Sequence, residues 1–144
     1  MPKIKVEKTI KADREKIFKM VTDFENLPNK FPQFFKSVKV TSRDGNTVTT
    51  EDHAVMAGRE VHQATKHILT PPEVDEVYLL SGDAKDSHIV TRYSSVPEGT
   101  KVTVDGDFKL AGKLKLVGFM AKGKIEKSVE EVIEEFGRVA EGSP

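Results

Sequence analysis

Four histidines are the side chains of this sequence best suited to acid–base or metal chemistry: His53, His62, His67 and His88. The chain has no cysteine, so a zinc site would need three of these imidazoles or the help of carboxylates. A turn at Ala57-Gly58 pairs its flanking strands so that His53 lies across from His62 on the solvated face, away from His67. We therefore predict a surface histidine pair and no metal site.

The opposite face of the same two strands carries polar side chains where a packed core would be apolar. Pairing outward from the turn collects on this face Val48, Thr50, Asp52, Ala54, Val61, Gln63, Thr65 and His67. Buried polar groups need partners, which either a ligand in a cavity or the neighbouring strand can supply. Asp52 and His67 lie two pairs apart along the ladder, so we expect no direct hydrogen bond between them. The candidates for ligand contact are Asp52, Gln63, Thr65 and His67.

Arg92 is the charged residue with the most unusual predicted position. A three-residue loop at Pro97-Glu98-Gly99 places it on the apolar face of its strand. An inward guanidinium needs an anion, which is either Asp52 or Glu76 or a carboxylate or phosphate of a ligand. A register that differs by one residue would instead turn Arg92 to solvent and bring Tyr93 inward.

The elements that position these residues begin with a strand and two short helices. Apolar residues alternate with charged ones over residues 3–10, the pattern of a strand with one wet face. Asp13 is a candidate N-cap for the helix that follows, because its carboxylate can accept free backbone N–H groups. A second short helix around residues 24–30 cannot run far, since Pro32 disfavours helical geometry just beyond it.

The middle of the chain, from Phe34 to Leu110, is predicted to be a series of strands separated by turns. At Asp44-Gly45-Asn46 we prefer a three-residue loop, because it places Val38 and Val40 on the inner face of the sheet. The strand from Val74 to Leu80 has apolar residues on both parities, so its orientation stays open.

The last segment has the spacing of a long helix. Apolar residues recur every three or four positions at Leu114, Val117, Ala121, Ile125, Val129, Val132, Phe136 and Val139. Lysines come early in this segment and glutamates late, which opposes the helix dipole. Packing against the sheet must therefore stabilise the helix.

Composition indicates one soluble domain that spans residues 1–144. Its size suits a single core, and 23 basic side chains balance 23 acidic ones, so net charge favours no polyanionic partner such as nucleic acid. The lack of cysteine is compatible with a reducing compartment, and the N-terminus has no apolar run of a signal peptide. We expect a cytoplasmic protein that is a monomer or weak dimer and uses no cofactor.

Several short stretches carry a resemblance to a known superfamily. Val21-Thr22-Asp23-Phe24-Glu25-Asn26-Leu27-Pro28, then Phe31-Pro32-Gln33-Phe34 and the hairpin to Asn46, resemble the polyketide-cyclase and coenzyme Q-binding branch of the START and birch-pollen-allergen superfamily. Gly99-Thr100-Lys101-Val102 is similar to the same branch. The resemblance implies an α+β helix-grip fold, with a curved antiparallel sheet of about seven strands, two short helices after the first, and a long C-terminal helix across the sheet over a cavity.

The cavity implied by this resemblance would hold a small apolar or amphipathic molecule. Besides the four polar candidates, we expect it to be lined by Tyr78, Arg92, Phe108, Val117, Ala121 and Ile125. In resembling proteins the start of the last helix lies near the cavity mouth, where this chain has Lys113, Lys115 and Lys122. These lysines either dock an anionic lipid head group or membrane surface, or are solvated side chains beside core leucines.

Three functions agree with this sequence. The first, which we favour, is binding, sequestering or delivering a lipid, quinone, isoprenoid or polyketide-like molecule, because the polar candidates form no recognisable catalytic set. The second is a metal-free aromatase or cyclase in which Arg92, His67 or a tyrosine polarises a carbonyl or moves a proton. The third is an interaction module that binds a hydrophobic segment of a partner protein.

Overall fold

The computed structural model describes residues 3–110 and 118–142, and the side chains of residues 118–121 are not among those described. The described helices and strands, in chain order, are β1 (Lys3–Ile10), α1 (Arg14–Val21), a 3₁₀ turn (Phe24–Asn26), α2 (Leu27–Lys30), β2 (Phe35–Asp44), β3 (Thr47–Met56), β4 (Arg59–Thr70), β5 (Val74–Leu79), β6 (His88–Val96), β7 (Gly99–Asp107) and α3 (Gly118–Gly142). The predicted α+β element order is confirmed. No helix in these ranges is long and apolar enough to cross a lipid bilayer.

Within the described ranges, seven strands form one antiparallel sheet in the order β1-β7-β6-β5-β4-β3-β2. The pairing of β1 with β7 brings the start of the chain beside the last strand. The long helix α3 packs against β1 and α1. Asp13 is the N-cap residue of α1, but its side chain makes no capping hydrogen bond.

The hairpin of β3 and β4 has the register predicted from its turn. Met56 pairs with Arg59, and His53 lies opposite His62. Ala57 and Gly58 both have positive φ, as a two-residue type I′ turn requires. The position of the turn therefore predicts correctly the face on which each side chain of these two strands lies.

The loop between β2 and β3 differs from the prediction, although the predicted face is correct. Asp44 pairs with Thr47, so the loop has two residues and not three. A register shift around Thr41 then pairs Val40 with Thr50, the same pair that a three-residue loop would have produced. The valines of β2 consequently pack against the core, as the preferred loop had required.

The register of β6 and β7 corrects the prediction for Arg92. Val96 pairs with Gly99, which leaves a two-residue loop and shifts every pair by one residue. Gly99, at φ +140°, is the first residue of β7 and lies so close to the backbone of Ile10 that a Cβ would clash, so this strand position next to β1 requires glycine. Arg92 is therefore exposed and forms an ion pair with Asp105, whereas Tyr93 is buried.

Candidate functional site

A cavity of about 600 Å³ lies between the inner face of the sheet and the N-terminal half of α3. Most of its lining side chains are apolar: Phe24, Leu27, Phe35, Val38, Met56, Ala57, Val61, Val77, Leu79, Ala84, Ile89, Phe108, Leu110 and Ile125. The remaining lining residues are Asp52, Arg59, Gln63, Thr65, His67, Asp83 and Lys124. The arrangement is that of a small-molecule site, in which an apolar wall carries a few polar groups.

The four polar residues predicted on β3 and β4 all lie in the cavity wall. The hydroxyl of Thr65 donates a hydrogen bond of 2.7 Å to Oδ2 of Asp52, between neighbouring strands. Thr65 is buried, and Asp52 and Gln63 are half-buried. Asp52 and His67 do not contact each other, as their separation along the ladder predicted.

His67 is held by a partner that sequence reasoning missed. Its Nδ1 lies 3.0 Å and 3.3 Å from the two carboxylate oxygens of Asp75 on β5. The ring of Phe24 packs on the imidazole with 4.3 Å between ring centroids. Only 13% of the His67 side chain and 12% of the Asp75 side chain are exposed. The result is a largely buried carboxylate–imidazole pair whose histidine lines the cavity.

The orientation of β5 explains both this pair and why Tyr78, which was predicted to line the cavity, does not. Asp75, Val77 and Leu79 share one parity of β5, and the two apolar members line the cavity. Tyr78 has the opposite parity, is 36% exposed, and stacks on His88 with a centroid separation of 4.5 Å. The sequence does contain a signal for this orientation. If Val77 and Leu79 are taken as the inward-facing residues of β5, the alternation along the strand also turns Asp75 inward, beside His67.

Tyr93 occupies the inner face where Arg92 had been predicted. Its ring makes an edge contact with Phe18, with 5.5 Å between centroids. Burial raises the pKa of Tyr93 well above the usual range, and the nearby Asp75 carboxylate raises it further. Tyr93 therefore stays protonated at physiological pH.

The exposed residues of the described cavity lining lie in the β3–β4 turn, at the start of β4, in the β5–β6 loop and on α3, and they mark the cavity mouth. Arg59 and Asp83 form an ion pair there at 3.6 Å, with both side chains largely exposed. The backbone N–H of Ala57 donates to Oγ of Ser128 on α3 at 3.1 Å, which ties the turn to the helix. Lys124 lines the cavity on the helix side.

The other residues predicted to line the cavity or its mouth are only partly confirmed as lining residues by the structure. Phe108 and Ile125 line the cavity, whereas Lys122 is exposed and outside the lining set. Three predicted residues, Lys113, Lys115 and Val117, lie outside the described residues. Ala121 belongs to α3, but its side chain is also outside the described part.

The outer face of the sheet carries the predicted histidine pair. His53 and His62 stack with 4.1 Å between ring centroids, and Nε2 of His53 lies 2.7 Å from Glu60. His88 forms a separate pair with Glu76 at 2.9 Å. Within residues 3–110 and the described part of α3, no group of three or more His, Asp or Glu residues is arranged to hold a metal ion.

Solved structures share this fold across nearly the whole chain. A structure of TTHA0849 from Thermus thermophilus has a TM-score of 0.84 at 19% identity, covering 99% of this chain and 100% of that one. A START superfamily protein from Mycobacterium smegmatis has a TM-score of 0.78 at 21% identity, covering 96% and 95%. The Zhui aromatase/cyclase from Streptomyces sp. R1128 has a TM-score of 0.75 at 14% identity, covering 97% and 91%. At these identities the likeness concerns the fold.

Sequence comparison agrees with the structural likeness and with the resemblance predicted above. A search of curated proteins gave no match. The family model described as polyketide cyclase/dehydrase and lipid transport matches residues 1–141. Together with the helix-grip architecture, this match confirms the suspected superfamily. The chain therefore belongs to the polyketide cyclase/dehydrase and lipid transport family.

Proposed function

We propose that this protein binds one small, largely apolar molecule in its cavity and sequesters or delivers it unchanged. The observation that carries the proposal is the cavity of about 600 Å³ with a mostly apolar wall. Known ligand pockets have volumes of about 300–1,000 Å³, so the cavity suits a single small molecule. The fold of the family and the lipid transport in its description support the same conclusion.

The lining predicts an amphipathic ligand of the lipid, quinone, isoprenoid or polyketide-like kind. Moving apolar surface from water into such a wall contributes about 25 cal/mol per Å², so an apolar body supplies most of the affinity. The strip of Asp52, Thr65 and His67 on one wall would bind the polar part. We further propose that the protein acts in the cytoplasm as a monomer or weak dimer, which agrees with its lack of cysteine.

Native mass spectrometry of the protein purified from its own host tests this proposal. We expect an apolar compound to co-purify with the wild-type chain and to be lost in Val77→Trp, which fills the cavity. The matched control is Val90→Trp on β6, because Val90 lies on the parity opposite to Ile89 and outside the lining set. A wild-type protein that is always empty and binds no apolar probe would contradict the proposal.

A second candidate function is acid–base catalysis on the bound molecule. It is favoured by the His67–Asp75 pair, since a carboxylate that orients an imidazole is a common arrangement for proton transfer. The test is whether the co-purified compound changes mass during incubation with fresh protein, and whether His67→Phe stops that change. An unchanged compound excludes catalysis on it and leaves the binding function standing.

A further inference from the structure

The cavity wall has hydrogen-bonding capacity that the protein itself does not use, beginning with His67. An ionised carboxylate can only accept hydrogen bonds, so the Nδ1 atom facing Asp75 carries the hydrogen. In the neutral imidazole this leaves Nε2 as an acceptor. Among the described residues Nε2 has no hydrogen-bond partner, and the ring lines the cavity.

Further unused acceptors lie at Thr65, the next inward position of β4, and at its partner Asp52. The single hydroxyl hydrogen of Thr65 is donated to Oδ2 of Asp52. Asp52 keeps its other oxygen, which can only accept, and the lone pairs of the Thr65 oxygen also accept. The donors of the cavity wall are the Gln63 amide, Lys124 on the helix side, and Arg59, which is paired with Asp83 at the mouth. The polar strip of Asp52, Thr65 and His67 is thus rich in acceptors and has no free donor of its own. The unpartnered hydroxyl of Thr50, opposite Thr65, is fully buried and lies outside the cavity lining.

We propose that the cavity selects apolar molecules that carry a hydroxyl group, and that Nε2 of His67 accepts the hydroxyl hydrogen. This inference rests on the proposed binding function. A ketone offers no hydrogen, so it would leave the acceptors unpaired after water is displaced. A carboxylate beside His67 would also face the charges of Asp52 and Asp75. Asp75 is a positioning residue, because it determines which nitrogen of His67 carries the hydrogen.

The selectivity can be measured with four fluorescent probes that share one apolar body: pyrene, pyrenemethanol, acetylpyrene and pyrenecarboxylate. Fluorescence titration of the wild-type protein should give pyrenemethanol an affinity about three- to tenfold above that of pyrene or acetylpyrene, the usual net effect of one hydrogen bond. Pyrenecarboxylate should bind most weakly. This comparison needs no variant, so it does not depend on how substitutions affect folding.

Two variants then assign the selectivity to the His67–Asp75 pair. His67→Phe keeps an aromatic ring beside Phe24 but removes the acceptor, so pyrenemethanol should fall to the affinity of pyrene, which itself should not change. In Asp75→Asn the amide can either accept a hydrogen bond from Nδ1–H or donate one to Nδ1, so it no longer fixes the hydrogen on Nδ1 and the preference for pyrenemethanol over acetylpyrene should weaken. The matched controls are His88→Phe and Glu76→Gln, a similar pair on the outer face that should affect none of the four probes.

The possible results are distinct. Equal affinities for all four probes, or a preference for pyrenemethanol that persists in His67→Phe, would overturn the inference while the binding function stands. A preference unchanged in Asp75→Asn would show that the carboxylate of Asp75 is not needed to hold the hydrogen on Nδ1 of His67. If none of the four probes binds, the inference is overturned, and the binding function fails with it only if the protein also purifies without an apolar compound.

Discussion

The two halves of α3 lie over very different parts of the same sheet. At the closed end, formed by Ile10, Phe31, Ile133, Phe136 and Ala140, the helix packs into a continuous core. At the open end, formed by Ile125, the β3–β4 turn and the cavity wall, it covers a space of about 600 Å³. One helix thus acts both as a core element and as the roof of the cavity. The apolar spacing is the same in both halves, so spacing alone does not distinguish packing from enclosure.

Small residues and aromatic contacts make the closed end tight. Ala140 is fully buried, and Phe31 meets Phe136 with 4.8 Å between ring centroids. A Cβ on Gly137 would lie 3.4 Å from Cγ1 of Ile10, so the helix backbone runs directly against β1. By contrast, the open end is linked to the β3–β4 turn through the polar contacts of Ser128. We expect the closed end to contribute most of the stability and the open end to control access.

The same substitution in each half of α3 provides the strongest test of this comparison. Ile133→Ala should lower the free energy of unfolding by about 2–5 kcal/mol, the usual cost of a new cavity in a packed core. Ile125→Ala should cost at least about 1 kcal/mol less, because this side chain packs on Ile4 and Phe108 on one side but borders the cavity on the other. Urea denaturation of both variants measures the difference. Equal losses would mean that the two ends are packed alike.

Glycines in the two halves should respond in opposite directions. Gly137→Leu should destabilise the protein by about 1–3 kcal/mol, because the added side chain must displace Ile10. Gly123→Ala should stabilise it by about 0.5–1 kcal/mol, since no atom of the described residues lies within 4 Å of a Cβ there and alanine favours the helix. Thermal unfolding checks both signs. A stable Gly137→Leu protein would contradict the close contact between α3 and β1.

Tyr93 belongs to the core of the closed end and predicts a loss of stability at high pH. Burial raises its pKa in the folded state, while the unfolded chain ionises near the ordinary value of about 10. Above that pH the unfolded state binds fewer protons than the folded state, so stability falls by up to about 1.4 kcal/mol per pH unit. Unfolding between about pH 9 and 11 should therefore be less pH-dependent in Tyr93→Phe. Identical slopes would show that Tyr93 ionises freely in the folded protein.

Most of the sheet could be predicted from short-range signals, and its errors arose where long-range contacts decide. The Ala57-Gly58 turn was enough to place His53, His62 and His67 correctly. The β6–β7 register was wrong because the close approach of Gly99 to β1 is not visible in the local sequence. The partner of His67 was missed because β5 is apolar on both parities, and only the folded sheet shows that Asp75 faces inward.

Ser128 tests whether the open end controls access to the cavity. Ser128→Ala removes the acceptor for the Ala57 N–H and should cost about 0.5–1.5 kcal/mol of stability. Because the turn is then less firmly tied to α3, we also expect faster dissociation of a pyrene probe, measured by stopped-flow fluorescence. Ser95→Ala, at an exposed position of β6, is the control. An unchanged dissociation rate in Ser128→Ala would show that ligands leave by another route.

Arg92 is the residue for which the sequence prediction and the structure differ most, and its substitution should have the smallest effect. On the outer face its ion pair with Asp105 spans 3.3 Å between largely exposed side chains, and such surface pairs contribute about 0–1 kcal/mol. Arg92→Ala should therefore change stability little and leave pyrene binding unaltered in a fluorescence titration. Had the residue faced the cavity, the same change would remove a buried cation and alter binding strongly. A marked loss of probe affinity would thus indicate that Arg92 and not Tyr93 faces the cavity, as the register predicted from the sequence requires.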